Sequence, residues 1–426
     1  MIRSLATVCL LFFATLAAAR AQFRAPAARL ERARCNLTPE PVAKFSGDSG
    51  DFFILLPEHV SLRAGAELNL MFHPSTELWP ALAGMEVSVN DRKLPARVEG
   101  KDKLNTNAAI QVRAELPEGS LHAGWNKVSV QLRRVDPELR KPCDWYVRGS
   151  ESYLEIAFER MPLFSELARF PRSMAEEKLL NPGSPSATVA ILLPLQNRDV
   201  HLRACAILGA RFGQLGYLSD GDCRLGALEH WEKESAARNG VVVARVDELM
   251  EWPILKSFSA NLAELNPGQS MLIEVILGKL PAQRRWIFAI GADDAGLEKA
   301  ILTLGSAPAM ASLPPSPVTI EVEPVLPSIV ESGSHSNSLQ AAKIRDLQQL
   351  NQLMVRDGLL RKAAFLLPAG SSIEEMQTLL NLASHLGKQT PGSPVLWPEA
   401  CSYSATAAPI ASRLQERSTS SIATFQ

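Results

Sequence analysis

The chain has 426 residues, enough for two or three domains. Its 46% hydrophobic and 21% charged content is that of an ordinary globular protein. A formal net charge of -1, with no dense cluster of Lys and Arg, argues against a nucleic acid as the main partner.

The opening segment, MIRSLATVCLLFFATLAAARAQ, has one early Arg3, an apolar run from Ala6 to Ala19, and the small-x-small end Ala19-Arg20-Ala21. That plan predicts a secretory signal peptide over residues 1–21, cut between Ala21 and Gln22, with a retained amphipathic anchor as the alternative. No other stretch reaches the roughly 18 to 20 apolar residues a bilayer crossing needs. The mature protein is therefore expected to be exported, and soluble or peripheral to a membrane. Loss of Cys9 leaves Cys35, Cys143, Cys205, Cys223 and Cys401. Cys35–Cys143 and Cys205–Cys223 are possible disulfides in an oxidising compartment, but an odd count leaves a thiol over and the connectivity stays open. None of the spacings suits zinc.

Residues 22–44 read as an N-terminal extension, and residues 45–165 as a β domain. DFFILLP (51–57), AELNLMF (66–72), MEVSVND (85–91), AAIQVRAEL (108–116), NKVSVQL (126–132) and YLEIAF (153–158) are short strands, several with period-two alternation. Turn residues such as Pro117-Glu118-Gly119 separate them, the pattern of an antiparallel sandwich. Over 166–326 the rhythm changes. TVAILLP, GVVVAR (240–245), SMLIEVIL (270–277) and RWIFAIG (285–291) alternate with helical segments. Continuous apolar strands between helices predict a doubly wound α/β domain on a parallel sheet. Asp293 or Asp294 is placed to cap a helix carrying Leu297, Ala300, Ile301 and Leu304, and Gly305 sits at its expected stop.

A polar linker, about 327–337, precedes a predicted amphipathic helix over 338–357 with Leu339, Ile344, Leu347, Leu350 and Met354 on one stripe. FLLPAGSSIEEMQTLLNLASHLG (365–387) then aligns without gaps on ILLPLQNRDVHLRACAILGARFG (191–213). Each has a Leu-Leu-Pro strand end, a polar turn, a helix and a terminal Gly, and the second carries a capping box at Ser372–Glu375. Either duplication or chance produces such an echo. If it is duplication, residues 338–401 hold a helix and part of a second α/β unit, followed by a disordered tail over 402–426.

Chemical motifs are few. The turn after Leu193-Pro194 has no glycine, so a backbone cannot approach a pyrophosphate as a Rossmann or P-loop fingerprint allows. Arg198 and His201 beside a helix N-terminus are a weak phosphate signal, and scaffold is the better reading. The seven histidines contain no His-x-x-x-His pair, and no Gly-x-Ser-x-Gly elbow is present. Glu229, His230 and Trp231 read as a partly buried surface patch. Asp293-Asp294 reads as a cap, because adjacent helical side chains diverge. No catalytic, cofactor or metal residues are assigned. The β domain does carry Trp79, Trp125 and Trp145 in or beside turns. Exposed indole faces can stack on sugar rings, which makes these three the carbohydrate-contact candidates. The competing reading is that they plug the ends of the sandwich, since such rings are usually highly buried.

The order of these pieces resembles the BcsB family of bacterial cellulose synthase components, a family named for cyclic di-GMP binding. FHPSTELWPALAGMEVSVNDRKL is similar to the family's strand, SP-x-L-x-P loop and S-x-L-x-V-x-V-N-G strand. AGWNKVSVQL resembles its Gly-x-Asn strand start. CDWYVRGSESYLEIAFERMPLFSELARFP resembles its cysteine, tryptophan, serine-led strand and exit into an α/β domain, and 191–213 that domain's first strand and helix. The likeness covers about residues 45–322.

It implies a jelly-roll carbohydrate-binding-like domain followed by a flavodoxin-like one. It also implies a non-catalytic periplasmic role beside a membrane glycosyltransferase (BcsA-like), with the β-glucan chain as ligand. Cyclic di-GMP is sensed in that family mainly through the catalytic partner, so no cofactor is assigned here. The chain departs from the family in having Asn90-Asp91 where Asn-Gly is usual. The second carbohydrate-binding-like domain, the rest of the second α/β unit and the C-terminal anchor are not recognised in it. Three functions compete: a glucan-guiding subunit at the inner membrane, an exported carbohydrate-active enzyme or other polysaccharide binder, and an interaction protein docking through 338–357. An enzyme would need paired carboxylates about 5 to 9.5 Å apart in a cleft.

Overall fold

A computed structural model describes the chain from residue 30 to 423, apart from 39, 76–81, 100–108, 135–143, 195–197, 220, 325–354, 357–358, 361–362, 391–398 and 404–420. The chain divides after Met161 into two compact units.

The described residues of the first unit form eleven strands: β1 (Leu30–Asn36), β2 (Val42–Ser46), β3 (Ser49–Leu56), β4 (Val60–Pro74), β5 (Leu82–Val89), β6 (Arg92–Leu94), β7 (Arg97–Glu99), β8 (Ile110–Leu116), β9 (Gly124–Arg134), β10 (Asp144–Arg148) and β11 (Tyr153–Arg160). They form two antiparallel sheets. One runs β1-β11-β4-β10-β2 with β8 and β7 branching from β4, and the other runs β3-β9-β5-β6. Fifteen-residue β4 organises the larger sheet, pairing with β11 and then β10 along one edge and with β8 along the other. Strict alternation sends one side of each strand inward. In the smaller sheet Phe52, Ile54, Val87, Val89, Val128, Val130 and Leu132 are buried, while their chain neighbours form the opposite face.

The reading of 22–44 as an extension outside this domain is corrected here. Leu30–Asn36 pairs residue for residue with Glu159 down to Tyr153. Ala33, Cys35 and Leu37 alternate into the core, so β1 is an integral strand of the larger sheet.

In the second unit one sheet runs β13-β12-β14-β16-β15-β17, from β12 (Val189–Leu193), β13 (Cys223–Ala227), β14 (Asn239–Arg245), β15 (Ser270–Leu277), β16 (Arg284–Gly291) and β17 (Val318–Ile320). Both faces are covered. Val189, Ile191, Leu193, Val241, Val243, Ile287 and Ala289 enter one core with helices α1 (Asp199–Gly213) and α3 (Asp294–Gly305). Ala190, Leu192, Val242, Ala244, Trp286, Phe288 and Ile290 enter a second core on the other side, against Trp231 of α2 (Trp231–Ala237). That two-sided burial is why these strands read as unbroken apolar runs.

The all-parallel expectation fails at one strand. β13, β12, β14 and β16 are parallel, but β15 lies antiparallel between β16 and β17. Only 278–283 joins β15 to β16, and a parallel crossover needs a dozen residues or more. The unit is therefore a mixed α/β sheet.

The internal echo has a structural counterpart. After a short hairpin of β18 (Val355–Arg356) and β19 (Leu359–Leu360), β20 (Ala363–Pro368) leads into helix α4 (Ile373–Lys388) as β12 leads into α1. β20 is flanked by parallel strands β21 (Glu399–Tyr403) and β22 (Ser421–Ala423), as β12 is by β13 and β14. Helices α1 and α4 pack through glycines. A Cβ on Gly213 would collide with the Ser384 carbonyl, and one on Gly387 with the Ala210 carbonyl. In the gapless alignment Gly213 matches Gly387 and Ala210 matches Ser384, so the contact is reciprocal about a local two-fold. Gly209 and its counterpart Ala383 meet on that axis.

Two further expectations are corrected. Within the tail, Ser421–Ala423 is a strand paired with β20. Of the helix predicted over 338–357, Val355 and Arg356 are described, and they form β18 instead. The following Asp357-Gly358 is a strong hairpin signal. The rest of that helix, like the signal peptide, lies outside the described residues.

Candidate functional site

The side of the smaller sheet that faces away from the core is the candidate site. On β3 and β9 the register places Asp51 opposite Ser129, Phe53 opposite Lys127, and Leu55 opposite Trp125. Partners directly opposite in an antiparallel pair share a face; of these six residues Leu55 is buried, and the other five form one accessible patch. β5 extends it, with Ser88 opposite Ser129 and Glu86 opposite Gln131. Phe53 is 61% exposed and Trp125 is 56% exposed, large values for rings on a regular sheet. They are diagonal neighbours across the strand pair, a spacing of roughly 7–8 Å between backbones that aromatic side chains readily span.

Charge and hydrogen-bonding groups flank the rings. Lys127 Nζ lies 2.9 Å from Asp51. Hydrogen bonds from Lys127 and Ser129 hold the Asp51 carboxyl below its ordinary value, and the carboxylate in turn raises the Lys127 ammonium. Lys93 Nζ pairs with Glu86 at 3.2 Å, and Arg133 also contacts Glu86. Each pair leaves lone pairs or N–H groups that a hydroxyl-rich ligand can use.

The local sequence explains why Trp125 points outward. Gly124 has φ +92, a conformation that favours glycine, and brings the chain into β9 just before the indole. The next residue, Asn126, is fully buried. Its amide donates to the His122 and Gly124 carbonyls at 2.7 and 3.0 Å and accepts from the His122 N–H at 3.0 Å. It also accepts from Asn90 at 2.9 Å. With Asn126 pinned inward, the alternation of a strand puts Trp125 on the opposite face. Asn90 and Asp91 form the β5–β6 turn with φ of 49° and 65°, the left-handed pair that two-residue hairpins require. Asn90 Oδ1 also accepts from the Lys127 N–H at 2.9 Å.

The three tryptophan candidates thus separate. Trp125 is presented to solvent. Trp145 is only 1% exposed and does not contact solvent as a ligand platform would. Its indole stacks on Phe45 at 4.3 Å and 19°, approaches Phe72 at 5.2 Å, and donates to the Gly47 carbonyl at 3.1 Å. A side chain at Gly50 would overlap its ring. β10 lies between β2 and β4, so the residue is enclosed on both edges, and its assignment as a carbohydrate contact is withdrawn. Trp79 lies outside the described residues. Phe53 was not singled out from the sequence, although two adjacent phenylalanines in an alternating strand force one of them outward.

Cys205 and Cys223 are separate buried thiols. Cys205 sits midway along α1 whereas Cys223 opens edge strand β13, so the bridge considered between them is not formed. Burial pushes the Cys205 thiol up to about 12 and the Cys223 thiol higher still. Cys143, and with it the pairing to Cys35, lies outside the described residues.

The glycine-free turn at the start of α1 is occupied by the protein's own ion pairs. Arg198 Nη1 lies 2.9 Å from Asp294 and Nη2 lies 3.5 Å from Glu248, and His201 is buried. Asp293 caps α3, accepting from the Gly296 N–H at 2.8 Å and the Gly268 N–H at 2.9 Å. Among the described residues no three His, Cys, Asp or Glu side chains are placed to hold a metal ion. No described helix is long and apolar enough to cross a membrane.

Residues 47–139 match the family described as cellulose synthase BcsB, first CBM (carbohydrate-binding module) domain. The match begins just before β3 and ends just after β9, so it contains both Phe53 and Trp125. The BcsB-type resemblance read from the sequence is borne out for this domain. No curated protein matches the chain.

Proposed function

We propose that this protein is a non-catalytic, exported subunit of a cellulose synthase complex. It holds the emerging β-1,4-glucan on the open face of β3-β9-β5-β6 while a membrane glycosyltransferase forms the bonds. The observation that carries this reading is the outward pair Phe53 and Trp125, on the segment that matches the carbohydrate-binding family. An extended β-1,4-glucan is a ribbon with C–H-rich ring faces and hydroxyl-lined edges. A sheet face bearing two aromatic rings, with Asp51, Lys127 and Ser129 beside them, offers stacking to the faces and hydrogen bonds to the edges. In this reading the chain reaches the periplasm through its signal peptide and works at the inner membrane beside a BcsA-like catalytic subunit. Cyclic di-GMP acts on that partner, and this chain needs no cofactor.

Titration calorimetry of the mature protein with cellohexaose tests the reading. The wild type is expected to bind, and Trp125→Ala to weaken binding at least tenfold with no change in melting temperature. A wild type that gives no heat with cello-oligosaccharides, and recovers no glycosyltransferase when captured from native membranes, would overturn it.

A further inference from the structure

The second unit contains a cavity of about 840 Å³ that the sheet-face reading does not use, within the size range of small-molecule sites. Its walls come from the C-terminal ends of three adjacent parallel strands. Pro194 and Arg198 follow β12, Leu228, Glu229 and Trp231 follow β13, and Arg245 ends β14, with Trp252 and Pro253 a short helical turn further on. The strand order reverses at β12, and open α/β sheets form ligand crevices at such points.

Two indoles and two guanidinium groups line it. Trp231 and Trp252 lie 5.1 Å apart, tilted at 43°, and Trp231 is braced edge-on against buried Trp286 at 4.6 Å. Both rings are half-buried, so each keeps part of its surface accessible. Arg198 is held by Asp294 and Glu248, and Arg245 Nη2 by Asp247 at 2.6 Å. Arg245 Nε is buried with no hydrogen-bond partner among the described residues.

The charge balance selects the ligand class. Glu229, Glu232, Asp247 and Glu248 line the cavity against only two arginines, and both arginines already face carboxylates. A phosphate would meet net negative charge, which disfavours nucleotides and phosphosugars. An uncharged polyol can donate to the carboxylates, accept from the guanidinium N–H groups and lay a ring face against an indole. The geometry points to a second saccharide site here, for a short neutral oligosaccharide, built from Trp231, Trp252, Arg245 and Glu248. It rests on the proposed function only in the choice of a glucan as probe.

The test uses the mature Trp125→Ala protein, in which the sheet face is disabled, and follows the indole N–H resonances by NMR as cellotriose is added. The Trp231 and Trp252 signals are expected to shift saturably, and Arg245→Gln to weaken that response at least tenfold with its amide spectrum otherwise preserved. The Trp125 signal of the wild type, followed in parallel, reports the sheet face separately, so either site can fail alone. No shift at Trp231 and Trp252 up to millimolar cellotriose would sink the proposal. So would shifts caused by inorganic phosphate or UDP but not by the saccharide, or a cellotriose response that Arg245→Gln leaves unchanged.

Discussion

Trp125 and Trp145 sit in the same β unit, yet one is offered to solvent and the other sealed inside. Their short sequence contexts look equally turn-like. The difference lies in what each strand has beside it. β9 belongs to a sheet whose outer face carries exposed rings, and Asn126 fixes which way that strand faces. β10 is clasped between β2 and β4, and Phe45 stacks over its indole. An aromatic residue near a turn is therefore a binding candidate only once its strand's facing is known.

The sharpest way to break this comparison is truncation of both rings. Trp145→Ala is expected to cost about 3–5 kcal/mol through its cavity and lost packing, read by urea unfolding. Trp125→Ala should stay within about 0.5 kcal/mol of wild type, as exposed substitutions do, while losing glucan affinity. Equal costs at the two positions would remove the distinction on which the site rests.

A comparable loss is expected where the second unit begins. Buried Glu274 contacts Arg285, accepts from the Ser165 hydroxyl at 2.7 Å and accepts from the Glu166 N–H at 2.6 Å. Glu274→Ala strands the guanidinium and should cost about 3–5 kcal/mol, seen as a lowered urea midpoint. Gly213→Ala comes next, at about 1–3 kcal/mol, because α1 and α4 must separate to admit the methyl group. An Ala at exposed Gly183, which has open space around it, is the control.

Smaller effects concern individual groups. The Cys205 and Cys223 thiols should react with a thiol reagent only as the unit unfolds, since burial keeps them protonated. On the sheet face, Asp51 is held below its ordinary value of 3.8 by Lys127 and Ser129. Its stabilising contribution is fully present above that value and fades as pH falls through the lowered one. NMR titration of its carboxyl carbon should show a midpoint under 3.8, moving back towards it in Lys127→Met.

Much of the fold was legible from the sequence because burial writes a period. Phe52, Ile54, Val128 and Val130 alternate, and the two-sided strands are continuous apolar runs over 189–193, 241–244 and 286–290. Edge strands left a weaker trace. CRLGA, which became β13, has only its ends buried, and Gln377 of α4 satisfies its backbone, donating to the Cys223 carbonyl and accepting from the Leu225 N–H. The antiparallel placement of β15 was readable from its short connection and was missed by weighing apolar content alone. Of the site, Trp125 could be nominated but not separated from Trp145. Phe53 was hidden in a hydrophobic run whose facing only the pairing with β9 reveals.

The reciprocal glycine contact between α1 and α4 bears on how this chain meets others like itself. A surface that fits its own duplicate would, on a lone half, be an invitation to dimerise through that helix. Here both surfaces reside in one polypeptide and cover each other, so the fit that would draw in a second chain is already satisfied within this one.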